Sequence, residues 1–326
     1  MNGITRRGAL LSAALLPAPA FAQGGGGAWP TKPVRVVVPF PPGGLVDALA
    51  RSVAAPLAAR FGQPFVVENR AGAGGNIGAD AVAKSPPDGH TLMAGSLGPL
   101  AVNQYIYPAM PYDTNAAFAP VVLLATTPKV LCVANARSWR NVGALIAEAK
   151  ARPGGLTGGS AGSGSSLHFA LELFKEATGT DIQHVPYRGA APAVTDLVAG
   201  NIDLVIDNVP NILAQIRGGS VRPLATPSAN RLAQLPDVPT MAEEGVANFV
   251  FGTAFGMAAP AGTPPDILRR LAEAVTEALR DPVVGGRLTE VGAVLGGGTP
   301  EDFARVIARE KETLEPVIRR AGIRAE

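Results

Sequence analysis

The sequence predicts an α/β fold in which two domains each hold a mainly parallel sheet with helices on both faces. From residue 34 onward, short β-branched runs alternate with amphipathic helical patterns. This alternation is typical of strands joined by helical crossovers. Without the leader described below, about 300 residues remain, more than one domain usually holds. We therefore expect two domains.

The strands are predicted where apolar or β-branched residues run together between turn residues. They cover residues 34–38, 65–68, 91–94, 121–125, 130–133, 184–187 and 204–206. The helices are predicted where apolar residues recur three or four positions apart, as Leu49, Val53 and Leu57 do. They cover residues 45–61, 77–84, 141–151, 167–178, 191–199 and 211–217.

Two more helices near the C-terminus are predicted from their first residues. Thr263 and Thr299 are each followed by a proline and, three positions on, by an aspartate. A threonine cap, a proline at the first helical position and an acid in the first turn are typical of helix starts. We expect both helices to serve the scaffold only.

The first 22 residues read as a secretory signal peptide. Arg6 and Arg7 precede an apolar stretch, and Ala20-Phe21-Ala22 is a small-x-small cleavage site. The stretch is too short to span a membrane as a helix. Residues 5–10 also resemble a twin-arginine signal, so the general and the twin-arginine export routes both stay open. We expect a periplasmic protein.

Charge and cysteine content exclude several classes of partner. The chain has 28 basic and 26 acidic residues, and the leader holds two of the basic ones, so the mature chain is balanced. A balanced chain without a basic cluster binds nucleic acid and anionic membranes poorly. The single cysteine, Cys132, can form no internal disulfide and reads as a small buried hydrophobe. We expect an unanchored monomer without metal or cofactor.

The turn after the first strand is the first candidate site. Pro41 and Pro42 stiffen it, while Gly43 and Gly44 let a backbone approach a ligand closely. The next helix points its unpaired N–H groups and a partial positive charge into this turn. The turn is therefore a candidate site for a carboxylate or phosphate, and Asp47 is interpreted as the charge that orders it.

Three other turns follow strands in the same way. They are residues 94–98 with Ser96, the glycine- and serine-rich residues 158–168, and the pair Asp207-Asn208. Ligands of open α/β sheets lie at the carboxyl ends of the strands. Four such turns in one chain suggest two groups of loops that hold a ligand from opposite sides.

Other classes of protein fit these residues less well. Gly158-x-Ser160-x-Gly162 matches the nucleophile elbow of serine hydrolases, but the last histidine, His184, lies only 24 residues after Ser160. Residues 72–78 resemble a dinucleotide-binding loop whose third glycine is out of register. His90, His168 and His184 lack metal-ligand spacing. We expect a binding protein without catalytic residues, with a secreted serine hydrolase using Ser160 as the alternative.

Several ordered motifs resemble one family. They are Pro39-Phe40-Pro41-Pro42-Gly43-Gly44 with Asp47, Val67-Glu68-Asn69-Arg70, residues 72–79, Pro87-Asp88-Gly89, the glycine- and serine-rich loop before His168, His184-Val185-Pro186-Tyr187-Arg188-Gly189, Asp207-Asn208, residues 235–240 and residues 259–264. From about residue 29 to the C-terminus, the chain resembles the Bug family of periplasmic solute-binding proteins, receptors of tripartite tricarboxylate transporters.

The resemblance implies a two-lobed periplasmic binding protein fold of type II-like form, with a two-strand hinge. Lobe one would hold residues 30–126 and 229–326, and lobe two residues 127–228. A small carboxylate would bind between the lobes and pass to inner-membrane permease subunits, or signal to a sensor kinase. The candidate ligand-binding residues are Phe40, Pro42, Gly43, Gly44, Asp47, Ser96, Ser160, Ala161, Gly162, Ser163, Ser165, Ser166, Asp207 and Phe255.

Alternatives stay open at some of these positions. Ser165 and Ser166 could cap the next helix, and His168 reads more readily as a packed core histidine than as a ligand contact. Asp207 could touch the ligand or hold its own loop. Val46, Pro99 and Ala254 stand at positions where the family commonly has other residues. These differences favour a carboxylate ligand with an apolar or aromatic body, with neutral drift as the alternative.

Overall fold

The protein is described by a computed structural model of residues 29–187, 189–290 and 292–324. The predicted leader, residues 1–22, lies outside the described residues, as does Arg188. The strands are β1 (Val34–Val38), β2 (Phe65–Asn69), β3 (Thr91–Ser96), β4 (Phe118–Ala134), β5 (Thr157–Ser160), β6 (Gln183–Pro186), β7 (Leu204–Asn208), β8 (Val221–Ala225), β9 (Gly252–Pro260) and β10 (Val294–Gly297).

Helices connect these strands, and short helical turns cover residues 73–75 and 98–105. The helices are α1 (Leu45–Phe61), α2 (Asn76–Ala83), α3 (Val142–Ala151), α4 (Ser166–Thr178), α5 (Ala190–Ala199), α6 (Val209–Arg217), α7 (Pro265–Arg280), α8 (Pro282–Glu290) and α9 (Pro300–Ala321). Within the described residues, none of the helices is both long and apolar enough to cross a membrane.

Two mixed sheets share the long strand β4. In the first sheet the order is β2-β1-β3-β9-β4, with β10 also on β4, and in the second β6-β5-β7-β4, with β8 also on β4. The parallel pairing predicted from the sequence is found among β1, β2 and β3 and among β5, β6 and β7. The pairings of β4 with β7, β8, β9 and β10, and of β3 with β9, are antiparallel.

Strand β4 replaces two strands predicted over residues 121–125 and 130–133. The polar residues between them stay extended because each has a partner on a neighbouring strand. Thr127 pairs with Thr253 and Pro128 with Gly252 on β9, whereas Lys129 pairs with Asn208 on β7. The strand thus changes from one sheet to the other between Pro128 and Lys129.

Helices cover both faces of the sheets. In the first sheet, α1 and α7 pack on one face, where Leu49, Val53 and Val275 are fully buried with Val36. The opposite face carries α2 and α9, and its core continues onto α3 and α4 of the second sheet. Helices α5 and α6 pack on the remaining face of the second sheet, against Val130 and Cys132 of β4. The predicted burial of Cys132 is confirmed.

One of the two predicted threonine caps is present. The Thr299 hydroxyl accepts from Asp302 N while the Asp302 carboxylate accepts from Thr299 N, and α9 begins at the next residue. The Thr263 prediction is wrong, because α7 begins at Pro265 and Thr263 Oγ1 donates instead to Pro260 O over 2.8 Å. The second proline moves the helix start by one residue and leaves the hydroxyl to close the preceding turn.

Candidate functional site

Four predicted turns lie at carboxyl ends of strands in the two sheets. β1 leads through the proline–glycine turn to α1, and β3 leads to the helical turn that begins at Gly98. In the second sheet, β5 leads to α4 and β7 leads directly to α6. Among the predicted site residues, the exposed or half-buried ones lie in these turns, whereas Asp47, Ser160, Asp207 and Phe255 are buried.

The turn before α1 is held by the helix that follows it. Gly44 is the cap residue of α1 and offers no side chain, so the first N–H groups of the helix have no intrahelical partner. Gly43 adopts a positive φ of 85°, which glycine tolerates best. Gly43 and Gly44 are exposed. These features make the turn a good place for an anion.

Asp47 orders this turn, as the sequence predicted, and it does so through three partners. Gly43 N donates to Asp47 Oδ2 over 3.0 Å, Asn69 Nδ2 donates to Oδ1 over 2.9 Å, and Arg51 Nε donates to the same carboxylate over 3.0 Å. The pKa of Asp47 is lowered to about 2, and the hydrogen bond from Arg51 is the main cause. Only 7% of the Asp47 side chain is exposed, so its charge interacts with these protein groups and hardly with solvent.

Two aromatic residues of the prediction lie in different surroundings. Phe40 is half-buried, its carbonyl accepts from Asn69 Nδ2 over 3.1 Å, and its ring lies beside the backbone of Gly75. Phe255 on β9 is only 6% exposed and belongs to the core beneath α1 and α7, and its backbone pairs with that of the half-buried Ser96 on β3. Pro42 is exposed at the tip of the first turn.

Ser160 lies at the end of β5 and is bonded within its own loop. Its hydroxyl lies 2.6 Å from His184 Nε2 and accepts from Gly162 N over 3.1 Å. The Ser160 side chain has no exposed surface. Ala161, Gly162 and Ser163 are half-buried and follow it directly. Ser160 therefore shapes the loop whose next three residues reach the surface.

The close approach of Ser160 and His184 bears on the hydrolase alternative. The sequence spacing had argued against this pair, yet the structure brings the two side chains into contact. Histidine–carboxylate contacts among the described residues join His90 to Asp88 and His168 to Glu172, so His184 has no acid to orient it. A buried serine without that third group lacks the geometry of a nucleophile triad.

His168 and His184 stack on each other as neutral rings. Their centroids lie 3.7 Å apart with an angle of 9° between the rings. Burial is the main cause that lowers the pKa of His168 to about 3 and that of His184 to about 4. Gly164 N donates to His168 Nδ1 over 3.1 Å. The interpretation of His168 as a packed histidine agrees with this arrangement.

The two predicted serines at the start of α4 differ in role. Ser165 caps the helix, because its hydroxyl accepts from His168 N over 3.2 Å. Ser166 instead accepts from the ammonium of Lys129 over 3.2 Å and lies 3.0 Å from Thr253 Oγ1. The helix cap thus fits Ser165, whereas Ser166 belongs to a polar cluster between the sheets.

Lys129 is the centre of this cluster and is not among the residues predicted from the sequence. Its side chain has no exposed surface, and its Nζ donates to Asn208 Oδ1 over 2.9 Å as well as to Ser166. Thr253 Oγ1 lies 2.9 Å and Thr127 Oγ1 3.2 Å from the same amide oxygen. A lysine between two predicted apolar strands, residues 121–125 and 130–133, was the available signal. We call Lys129, Thr127, Ser166, Asn208 and Thr253 the crossover cluster.

Asp207 lies on the opposite face of β7 from this cluster. It pairs with Val130, whereas Asn208 pairs with Lys129, and successive side chains of a strand point to opposite faces. The Asp207 carboxylate is fully buried and accepts from Asn208 N over 2.6 Å and from Asn211 Nδ2 over 2.9 Å. Burial raises its pKa. Asp207 thus holds the turn into α6.

Comparison with known proteins decides the family. The profile of the tripartite tricarboxylate transporter family receptor matches residues 49–323. The chain belongs to this family. Protein BugT of Bordetella pertussis is 40% identical over 316 residues, which cover 97% of this chain and 96% of BugT. The resemblance to the Bug family is confirmed. The profile begins inside α1, so the turn at residues 40–47 precedes the matched range.

Two solved structures of similar proteins hold carboxylates. An R. palustris protein with adipate is 41% identical with a TM-score of 0.82, and the match covers 91% of this chain and all of that one. MatC from Rhodopseudomonas palustris with bound malate is 33% identical with a TM-score of 0.79 and is matched over 89% of this chain and all of its own. The chain therefore has the two-lobed fold of the tricarboxylate transporter receptors, which are periplasmic solute-binding proteins.

Proposed function

We propose that this receptor captures a small carboxylate between two lobes and delivers it to a membrane permease. The observation that carries the proposal is the uncapped amino end of α1, where a carboxylate would accept from unpaired N–H groups without any lysine or arginine in that turn. The adipate and malate held by two similar proteins support this ligand class. Delivery to a sensor in place of a permease is the second candidate.

The lobes of this proposal are residues 30–126 with 229–326, and residues 127–228. The partner change of β4 between Pro128 and Lys129 supports the first boundary. Near the second boundary, Thr226 forms a bridge with Thr240 and Phe251 N donates to Pro227 O over 2.9 Å. In such a fold a ligand acts by binding the closed arrangement more tightly than the open one.

The ligand-binding residues of the proposal are those predicted from the sequence. Gly43, Gly44, Ala161, Gly162 and Ser163 keep exposed surface in the two loops. The N–H groups of Gly43 and Gly162 already donate to Asp47 and Ser160, so Gly44, Ala161 and Ser163 would supply the backbone donors. The buried Asp47 and Ser160 would act by shaping those loops, since their side chains bond within the protein. Asp207 would do the same through Oδ1, which accepts from Asn211, whereas its buried Oδ2 has no partner among the described residues.

We further propose an apolar or aromatic body for the ligand. The half-buried Phe40 supports this, because its ring lies with Pro99 around the backbone of Gly75 beside the first turn. Val46 gives no support, because it is only 7% exposed and packs in the core between α1 and the first sheet. Exported by the general or the twin-arginine route, the receptor would work as a monomer in the periplasm.

A thermal-shift screen of the mature protein tests the proposal. The panel is malate, adipate, citrate and benzoate, each beside its neutral amide. A ligand at about 100 times its dissociation constant adds about 2.7 kcal/mol to the free energy of unfolding. We expect at least one carboxylate to raise the melting temperature while its amide does not. A protein unfolded, dialysed and refolded serves as the control for a co-purified ligand, and no shift in that sample overturns the carboxylate function.

A further inference from the structure

Lys129 is a buried cation without a carboxylate partner. Among the ion pairs of the described residues, none within 4.0 Å includes Lys129, and the side chain has no exposed surface. Its hydrogen-bond partners, Ser166 and Asn208, are neutral. A buried charge is costly unless an opposite charge compensates it. The Phe251 ring, whose centroid lies 5.7 Å from Nζ, compensates part of this charge, and an anionic ligand in contact with the cluster would compensate more of it.

The ammonium of Lys129 fixes what Ser166 and Asn208 can offer a ligand. Lysine only donates hydrogen bonds, so the oxygen of the Asn208 amide must face Nζ. The Thr127 and Thr253 hydroxyls lie against the same oxygen. The Asn208 NH₂ group then points away from Lys129. Thr253 has one O–H, which it shares between Asn208 Oδ1 at 2.9 Å and Ser166 Oγ at 3.0 Å. Ser166 Oγ thus accepts from Lys129 and from Thr253 and keeps its own O–H for donation.

These two donors lie where the sheets meet. Asn208 ends β7, Ser166 begins α4, and Thr253 on β9 of the first sheet contacts both. Ser166 and Asn208 keep part of their surface exposed, in contrast to the fully buried Lys129. A ligand at the crossover would meet the two donors first, with the positive charge directly behind them.

We propose that Lys129 is a positioning residue that turns Ser166 and Asn208 into donors for a ligand carboxylate at the crossover between the sheets. This anion position is formed by other residues than those at the amino end of α1, and the inference rests on the proposed carboxylate-binding function. A neutral amide would leave the cation uncompensated and would bring an NH₂ group against the Asn208 NH₂. The crossover cluster thus selects charge as well as shape.

Charged groups on two elements packed around β4 act on Lys129. Burial lowers the pKa of Lys129 to about 8, while Asp207 on β7 and Glu310 on α9 oppose that shift. Burial raises the pKa of Glu310 to about 7. A carboxylate bound at the crossover would raise the pKa of Lys129 again. Binding near pH 8.5 should therefore take up protons.

Titration calorimetry of the mature protein with the same four carboxylates tests the inference. Lys129→Met keeps the shape of the side chain and removes its charge and donors. Lys150→Met is the matched control, because Lys150 is an exposed lysine at the end of α3 and the net charge changes equally. We expect Lys129→Met to weaken carboxylate binding about 10- to 100-fold, as loss of hydrogen bonds tied to a charge does. Lys150→Met should bind as the wild type does.

Proton uptake gives a second readout that a purely structural role would not affect. It is measured at pH 8.5 in buffers of different ionisation enthalpy. We expect uptake in the wild type and in Lys150→Met, and none in Lys129→Met. If Glu310→Gln abolishes the uptake and Lys129→Met does not, the proton belongs to Glu310 and the inference is overturned.

The outcomes separate this inference from the function on which it rests. If none of the four carboxylates binds the wild type, the proposed function fails and the inference fails with it. If the wild type binds and Lys129→Met binds equally, only the inference fails. Should Lys129→Met not fold, Asn208→Asp replaces it, since an aspartate there pairs with Lys129 and repels a carboxylate. We expect that variant to melt higher and bind at least tenfold more weakly, and unchanged binding would overturn the inference.

Discussion

Gly43 N donates to Asp47 Oδ2 over 3.0 Å, so the first turn is held by a residue of the helix that follows it. The same carboxylate accepts from Asn69, which also donates to Phe40 O. One side chain thus connects the turn to β2 as well as to α1. The carboxylate orders the turn of the proposed anion site, while its negative charge is neutralised by Arg51.

Asp47→Asn should destabilise the protein and loosen the turn. An amide can replace only part of the acceptor set, and loss of hydrogen bonds to a charged group costs about 1–3 kcal/mol. Chemical denaturation measures the change. Glu148→Gln is the matched control, because it breaks an exposed pair with Arg152 four residues on, which is worth less than about 1 kcal/mol. Equal effects of the two variants would contradict the role of Asp47.

Gly44→Asp should separate helix stability from ligand binding. Gly44 has an extended backbone that any residue adopts, and the nearest atom to an added Cβ is Pro41 O at 3.9 Å. An aspartate there caps the free N–H groups of α1 and repels an anion, so melting should rise by the equivalent of about 0.5–1 kcal/mol while carboxylate affinity falls.

Gly44→Ala is the control for this substitution, since it adds a Cβ without a cap or a charge. Thermal melting and calorimetry on the same samples measure both effects. Carboxylate binding that survives Gly44→Asp would show that the ligand does not use the amino end of α1.

The stacked histidines predict a loss of stability in mild acid. Their pKa values lie below the ordinary value of 6.5, so the unfolded chain binds protons that the folded chain rejects. Stability is fully present above pH 6.5 and falls as the pH decreases towards about 4. The slope should reach at most about 1.4 kcal/mol per pH unit for each ring.

Melting curves between pH 7 and pH 4.5 measure this slope. His168→Asn should flatten it, because an amide oxygen can accept from Gly164 N without titrating. Asp47 acts in a different window, since its pKa is lowered from 3.8 to about 2 and its contribution is lost only below about pH 3.8. An unchanged slope in His168→Asn would exclude this source of acid sensitivity.

Gly256→Ala should be strongly destabilising. A Cβ at this position of β9 would lie 2.0 Å from Cζ of Phe303, a fully buried side chain of α9. Overpacking of this kind costs about 1–3 kcal/mol or more. Gly286→Ala in α8 meets no atom within 4 Å and should be neutral or slightly stabilising.

The double variant Gly256→Ala with Phe303→Leu checks the cause of that loss. A smaller side chain at residue 303 makes room for the new methyl group. The double variant should therefore lose less free energy of unfolding than the two single variants lose together. Strict additivity, measured by denaturation of the four proteins, would place the strain elsewhere.

Local patterns predicted the elements that depend on local sequence. The bounds of α1, residues 45–61, agree with the prediction, because its apolar residues recur on one buried face. The role of Asp47 was also accessible, since a helix start and a glycine turn lie within five residues of each other. The Thr299 cap follows from the same kind of short-range pattern.

Strand β9 and the crossover cluster could not be predicted in this way. Residues 252–260 are rich in glycine and alanine and are buried on both faces, so they show neither alternation nor a β-branched run. Lys129 looks isolated in the sequence, because Ser166, Asn208 and Thr253 come from three distant segments. Only the pairing of β4 with both β7 and β9 brings them together.

The position of β9 determines the order in which the first sheet can be completed. Strands β1 to β3 are synthesised early. Met93 of β3 pairs with Ala258 of β9, however, and β9 is synthesised only after all strands of the second sheet. Until then β3 has an open edge, and sheets with such distant partners form slowly. A chain cut after β8 would therefore lose an interior strand of the first sheet, which makes the C-terminal quarter indispensable to the N-terminal one.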